Sequence, residues 1–307
     1  MFKVFIDGQH GTTGLRIFER FATRNDIEVI QIDEQERKDI NVRLRKIEAS
    51  DVTFLCLPDD ASKEIAKAAK DLDTIIIDAS TAFRCDDNWA YGLPELGSQY
   101  LEAIKTNKRI ANPGCHATGS IMTIAPLVAT ELIPPDYPLT ITSLTGYSGG
   151  GNKMIFDYEN PHDRELDAPR IYALSQAHKH LPEIVKHCKL KVSPIFLPIV
   201  APYYAGMLVT VGFLNKTGKT VEDVYEIFRE FYKDQAFVRI VPLDHTPAML
   251  GSNNLFGKDY LKIFICGNDE RITVSAQFDN LGKGASGAAI ESMNIALGLD
   301  PTKGLDM

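Results

Sequence analysis

The chain has 307 residues, 44% of them hydrophobic and 24% charged, an ordinary balance for a globular protein. At roughly 150 residues per domain it has room for about two domains, and a chain this long buries enough surface to need no disulfide staples. Its net charge of −8 argues against nucleic acid or an anionic membrane as partner.

Five cysteines without paired spacing suit free thiols in a reducing cytoplasm. The start of the chain, Met1 to Ile6, runs straight into a strand pattern, so no signal peptide is expected. No run of about 18 apolar residues provides a membrane span. In chain order, Val4 to Ile6 reads as a strand, Gly14 to Ala22 as a helix and Glu28 to Ile32 as a second strand. Val52 to Leu57 is a third strand, Ser62 to Leu72 a helix and Thr74 to Ile77 a fourth strand. Apolar strands separated by helices imply a parallel sheet covered on both faces. From Cys115 to Leu132 the pattern is helical, with Ile121, Ile124, Ala125, Val128 and Leu132 on one face and Pro126 as a kink. Longer β-rich runs follow: Leu139 to Thr145, Ile195 to Val200, Met207 to Phe213, Phe237 to Val241, Tyr260 to Cys266 and Arg271 to Phe278. One amphipathic helix, Val221 to Tyr232, lies among them, and a last helix, Ala285 to Leu297, closes the pattern. The fold class is α/β: a Rossmann-like parallel-sheet domain plus an α+β domain with a mostly antiparallel sheet.

Four motifs carry chemistry. Gly8-Gln9-His10-Gly11-Thr12-Thr13-Gly14 sits between the first strand and helix. Glycines there let backbone approach a pyrophosphate, and the helix N-terminus adds N–H donors. The spacing is G-x-x-G-x-x-G, not the usual fingerprint, and a plain tight turn is the alternative. Asn112-Pro113-Gly114-Cys115 delivers a cysteine to a helix start, where the dipole favours the nucleophilic thiolate and turn N–H groups suit an oxyanion. The other four cysteines read as inert; Cys56 lies inside an apolar strand. His178-Lys179-His180-Leu181-Pro182-Glu183-Ile184 offers an imidazole for proton transfer to a thiolate nucleophile. A His pair at i and i+2 also suits a metal, but no further His/Cys cluster completes a tetrahedral site. Asp78 to Arg84 ends the fourth strand, and an arginine beyond the carboxyl end of a strand offers a fork for phosphate or carboxylate, or is an ordinary surface arginine.

These motifs occur together and in order. With Asn112 to Gly119, Tyr91 to Leu96 and the His178 to Ile184 run as its strongest marks, the chain resembles the semialdehyde dehydrogenase superfamily, in particular the shorter subtype of its N-acetyl-gamma-glutamyl-phosphate reductase family. Asp78 to Arg84 is similar to that family's D-x-S-x-x-F-R segment. Ser148 to Gly151 is similar to its glycine-rich turn, and Asn280 to Gly287 to its C-terminal signature. The resemblance covers essentially the whole chain. It implies Cys115 as nucleophile and His178 as acid/base. It implies Glu183 as support for the histidines at the substrate site, and Arg84 and Asn112 as anion binders for substrate. The expected cofactor set, completed by the resemblance, is Gly8, Gly11, Thr12, Thr13, Gly14, Ser80, Asn280 and Gly284, with no metal expected. It implies a cofactor domain of residues 1–114 with 285–307, to which the last helix returns, and a catalytic and dimerisation domain of residues 115–284. Two positions depart from the longer-chain pattern: His116 replaces an aromatic residue after the cysteine, and Ala205 replaces an arginine before a glycine.

The implied activity is NADPH-dependent reduction of an N-acetyl-gamma-glutamyl phosphate, through a cysteine thioester, in arginine biosynthesis. The expected partners are that small acyl phosphate and a second copy of the chain, as dimer or tetramer, in the cytoplasm. An aspartate- or aminoadipate-type semialdehyde dehydrogenase stays open, as does a non-catalytic dinucleotide-binding sensor. Sequence and family divide over the cofactor. Asp33 lies 19 positions after Gly14, near where a carboxylate binds the ribose 2′-hydroxyl of NAD. The family uses NADP(H), and Arg37 and Lys38 follow as candidates for its 2′-phosphate.

Overall fold

The computed structural model describes residues 1–307. The chain divides into two compact units, Met1–Pro113 with Ala285–Asp306, and Gly114–Gly284.

The first unit begins with β1 (Phe2–Asp7), α1 (Thr12–Phe21), β2 (Ile27–Ile30) and α2 (Ile40–Glu48). It continues with β3 (Val52–Leu55), α3 (Asp59–Ala68), β4 (Ile75–Asp78), β5 (Ala90–Tyr91), α4 (Ser98–Thr106) and β6 (Arg109–Ala111). The six strands form one parallel sheet in the order β2-β1-β3-β4-β6-β5. Alternation along the strands gives each face its own core. Val4, Ile6 and Phe54 pack with Ile17 and Phe21 of α1 on one face. Phe5, Leu55 and Ile76 pack with Ile47 of α2 and Ile65 of α3 on the other. Strand order reverses at β1, which is paired to β2 on one side and β3 on the other. Such a switch point opens a crevice beyond the carboxyl ends of the strands.

The second unit opens with α5 (Cys115–Ala129), β7 (Thr140–Gly146), α6 (Gly151–Glu159), β8 (Arg170–Ile171) and α7 (Leu181–His187). β9 (Ile195–Ala201), β10 (Met207–Leu214), α8 (Val221–Phe231), β11 (Val238–Ile240), β12 (Leu261–Asn268) and β13 (Arg271–Phe278) follow. Its seven-stranded sheet runs β11-β12-β13-β10-β7-β9-β8. The β7–β9 and β11–β12 pairs are parallel and the other four antiparallel, a mixed and mostly antiparallel sheet. α5 crosses β10 and β13 and is buried from His116 through Leu127, not on the single face that its periodicity suggests. Pro126 lacks the N–H that would bond the carbonyl of Met122. The Tyr232 hydroxyl, just past α8, donates to that carbonyl at 2.8 Å, so the helix continues past the proline.

A π-helical turn over Gly282–Ser286 leads into α9 (Gly287–Ala296). α9 is buried along nearly its whole length and packs on α4 and β4 of the first unit, placing Ile290 and Met293 in its core.

Candidate active site

In the first unit a cavity of about 660 Å³ opens at the β1/β3 switch point, with Gly8, Gln9, His10 and Gly11 on one side and Cys56 to Pro58 on another. Gly8 makes the loop possible: its φ is +88°, and a Cβ there would lie 2.3 Å from the Cys56 carbonyl oxygen. Gly14 serves packing instead, since a Cβ there would meet the Gly8 carbonyl oxygen at 2.6 Å. Thr12 and Thr13 occupy the first turn of α1, with Gly11 as its N-cap. Arg37 and Lys38 also line the cavity, whereas the exposed Asp33 does not; its carbonyl closes a turn with the Glu36 N–H at 2.9 Å. Glu34 also lines the cavity, 3.3 Å from His10 Nε2 and 3.0 Å from Arg37 Nη2. At the cavity wall Arg43 Nε donates to Asp7 at 2.8 Å; burial raises the Asp7 pKa against the opposing pull of Arg43. Glu34, Asp7 and Arg43 lie outside the sequence motifs, and His10 stands within the glycine motif without a role there, although an acid–base pair at i and i+3 flags Glu34 with Arg37.

At the carboxyl end of β4, the Ser80 hydroxyl donates to Asp78 Oδ2 at 2.6 Å and accepts from the Ala82 N–H at 3.1 Å, which builds the turn toward Arg84. Burial raises the Asp78 pKa, with Ser80 bonding against it. Arg84 is 7% exposed; its Nε donates to the Asn112 carbonyl and its Nη2 to the Ala79 carbonyl, both at 2.9 Å. Asn112, at the end of β6, donates from Nδ2 to the Ala285 carbonyl at 3.1 Å. Its buried Oδ1 meets no donor in the protein, so an amide N–H of a ligand suits it. A cavity walled by a glycine loop and by Arg37, Lys38 and Arg43 suits NADP(H).

In the second unit Cys115 is the first residue of α5, half-buried, with Gly114 as N-cap. Gly284 sits against it: a Cβ there would lie 3.0 Å from the Cys115 Cβ. Glu183, in the first turn of α7 and 1% exposed, accepts from the Gly114 N–H at 3.2 Å, so it anchors the turn that carries Cys115. The His178 ring lies edge-on to His116, the neighbour of Cys115, at 5.4 Å between centroids. The His180 backbone N–H donates to His178 Nδ1 at 3.2 Å, which leaves the proton of the neutral ring on Nε2. Burial, then the nearby Lys179 charge, lowers the His178 pKa to about 4. Burial lowers that of His116 to about 3. Asn280 braces the glycine-rich turn, donating to Ser148 Oγ at 3.0 Å and accepting from the Gly206 N–H at 2.8 Å. Ala205 is buried beside Gly206, and no cation stands at that position.

Residues 3–104 match the family model for the semialdehyde dehydrogenase NAD binding domain, and residues 115–280 that for the semialdehyde dehydrogenase dimerisation domain. The chain is 42% identical to the N-acetyl-gamma-glutamyl-phosphate reductase of Rhizobium leguminosarum bv. trifolii, over 96% of this chain and 98% of that protein. It is 41% identical to the N-acetyl-gamma-glutamyl-phosphate reductase of Brucella ovis, over 96% and 99%. Among solved structures, aspartate semialdehyde dehydrogenase II from Vibrio cholerae shares the fold with a TM-score of 0.74 at 16% identity, over 97% of this chain and 98% of that one. The chain belongs to the semialdehyde dehydrogenase family and, within it, to the N-acetyl-gamma-glutamyl-phosphate reductases.

Proposed function

We propose that this protein reduces N-acetyl-gamma-glutamyl phosphate to N-acetylglutamate semialdehyde and phosphate, with NADPH, in arginine biosynthesis. The observation that carries the reading is Cys115 at the start of α5, in a turn braced by Glu183, with the His178 ring packed against the first turn of the same helix. The choice of substrate is supported by the relatives at 41–42% identity; the aspartate enzymes at 16% share only the fold.

The Cys115 thiolate attacks the acyl carbon, the bond to the phosphate oxygen breaks, and phosphate leaves, taking one proton. A thioester remains on Sγ, which divides one hard displacement into two easier steps. The loop of Gly8 and Gly11, with Arg37 and Lys38, would hold NADPH, whose chemistry when bound would be hydride donation. The neutral His178 ring donates its Nε2–H as a hydrogen bond to the oxygen that gains charge and holds it until the adduct collapses to aldehyde and thiolate. The Gly114 turn places backbone N–H groups at the helix start for the same oxygen. Arg84, fixed by two backbone carbonyls, is the cation for a substrate anion, and the buried Asn112 beside it presents an acceptor. The second unit is the dimerisation surface, a reading supported by the matching family description. Five free cysteines support a reducing, cytoplasmic setting.

The test is phosphate-dependent NADP reduction with N-acetylglutamate semialdehyde beside aspartate semialdehyde. Preference for the acetylated substrate by at least about tenfold in kcat/KM is the expected outcome, the scale of one net hydrogen bond; preference for the aspartate compound contradicts the reading.

A further inference from the structure

The loop that delivers His178, from Tyr172 to His180, is locally strained. Ala173 and Gln176 have φ of 51° and 57°, the left-handed region that side chains avoid unless their surroundings impose it. Two ties hold the loop to β9. The Tyr172 N–H donates to the Pro198 carbonyl at 3.0 Å, and the Gln176 side chain bonds both backbone groups of Phe196, at 2.8 and 2.9 Å. A third tie runs toward the nucleophile. The Tyr172 hydroxyl meets His116 Nε2 at 2.7 Å, and His116 Nδ1 meets Ser143 Oγ of β7 at 2.6 Å. His116 follows Cys115 directly and is 2% exposed. Its burial keeps the ring neutral, so it accepts at one nitrogen and donates from the other. Burial, and then the nearby Cys115, push the Tyr172 phenol up, so it stays protonated. The rings of His116, Tyr172 and Phe196 meet that of His178 edge-on, at 5.4, 5.7 and 5.0 Å.

We propose that Ser143, His116 and Tyr172 form a positioning relay that pins the strained loop to the first turn of α5 and so sets the His178 ring to present its Nε2–H to the reacting oxygen. The proposal rests on the reading of Cys115 and His178 as the reacting pair. It also gives a purpose to the histidine that stands after the cysteine: an aromatic residue there fills the same space but makes neither bond.

A double-mutant cycle tests it, because a residue that acts through another loses its effect when that other is gone. Wild type, Tyr172→Phe, His178→Asn and the double variant are compared by kcat, KM, NADPH binding and melting temperature. Tyr172→Phe is expected to lower kcat by about 10–30-fold, part of the usual worth of a general acid–base, with KM and NADPH affinity unchanged within about twofold. In the His178→Asn background the same change is expected to cost less than about twofold. Multiplicative losses, or an unaltered kcat in Tyr172→Phe, overturn the proposal. His116→Phe runs the same cycle and decides the matter should Tyr172→Phe fold poorly. Cys115→Ser, assayed in parallel, reports on the covalent reading alone: substantial turnover there defeats that reading whatever the cycle shows.

Discussion

Replacing Arg37 and Lys38 together by alanine removes the two cations nearest the cavity loop that follows β2, and it should erase the preference for NADPH over NADH. The 2′-phosphate is close to a dianion at neutral pH. A hydrogen bond to a charged group contributes about 1.5–3 kcal/mol, and an exposed ion pair about 0.2–1 kcal/mol. The Arg37 side chain is 48% exposed, so the lower part of that span applies. Two such contacts come to about 1–3 kcal/mol, or roughly 5- to 150-fold in dissociation constant. NADH has no 2′-phosphate, and its affinity should change by less than about twofold. The loss of the Arg37–Glu34 pair itself contributes little, because Glu34 is 62% exposed. Glu34→Gln supplies the opposite perturbation. The carboxylate now lies between His10 and Arg37 and competes with the phosphate for them, so its removal should tighten NADPH binding by about two- to fivefold at low salt. Calorimetric titration of wild type and both variants with each nucleotide measures these effects. An unchanged NADPH-to-NADH affinity ratio in the double alanine variant would refute the assignment and send the 2′-phosphate to other residues.

Other outcomes follow from the same geometry. His178→Asn should lower turnover by about 10²–10⁴; a larger loss from His180→Asn, read from steady-state rates, would reverse the assignment of the proton. Arg84→Lys keeps the charge but cannot span the Ala79 and Asn112 carbonyls that the guanidinium now bonds. The KM for phosphate in the oxidative direction should rise about tenfold, on the scale of one lost charged hydrogen bond, and an unaltered KM would count against the role. His116 and His178 have folded values of about 3 and 4, below the unfolded value near 6.5. The unfolded chain therefore takes up protons first as pH falls. Their contribution to stability is complete above about pH 6.5 and is lost as pH drops toward 4 and then 3. Melting temperature should decline over that window, less steeply in His116→Phe; identical slopes would contradict the burial argument.

What the chain reveals before folding is what depends on near neighbours. The apolar runs of β1, β3 and β13 read as strands because alternation and β-propensity are local. Cys115 reads as a nucleophile because its Pro-Gly turn and helix start are contiguous. α2 is hidden in the sequence because Arg43 turns inward from a charged stretch to meet Asp7, 36 positions earlier. β5 and β6, of two and three residues, are too short to show a period. The partnerships of the site are equally invisible along the chain. Glu183 reaches Gly114 across 69 positions, and His116 reaches Ser143 and Tyr172 across 27 and 56. Asp33 drew attention by a spacing rule, yet its loop folds so that Arg37 and Lys38, not Asp33, face the cavity. That the Asn280 amide braces the turn at Ser148 and Gly206 is likewise invisible along the chain.

The central claim is a covalent bond between substrate and Cys115. Mixing the enzyme with N-acetyl-gamma-glutamyl phosphate in the absence of NADPH, quenching in acid and sequencing the peptides by mass spectrometry tests it most directly. One acyl group is expected on the peptide carrying Cys115, formed with stoichiometric release of phosphate and absent in Cys115→Ser. Phosphate release without an adduct, or an adduct on Cys56, Cys85, Cys188 or Cys266, would contradict it.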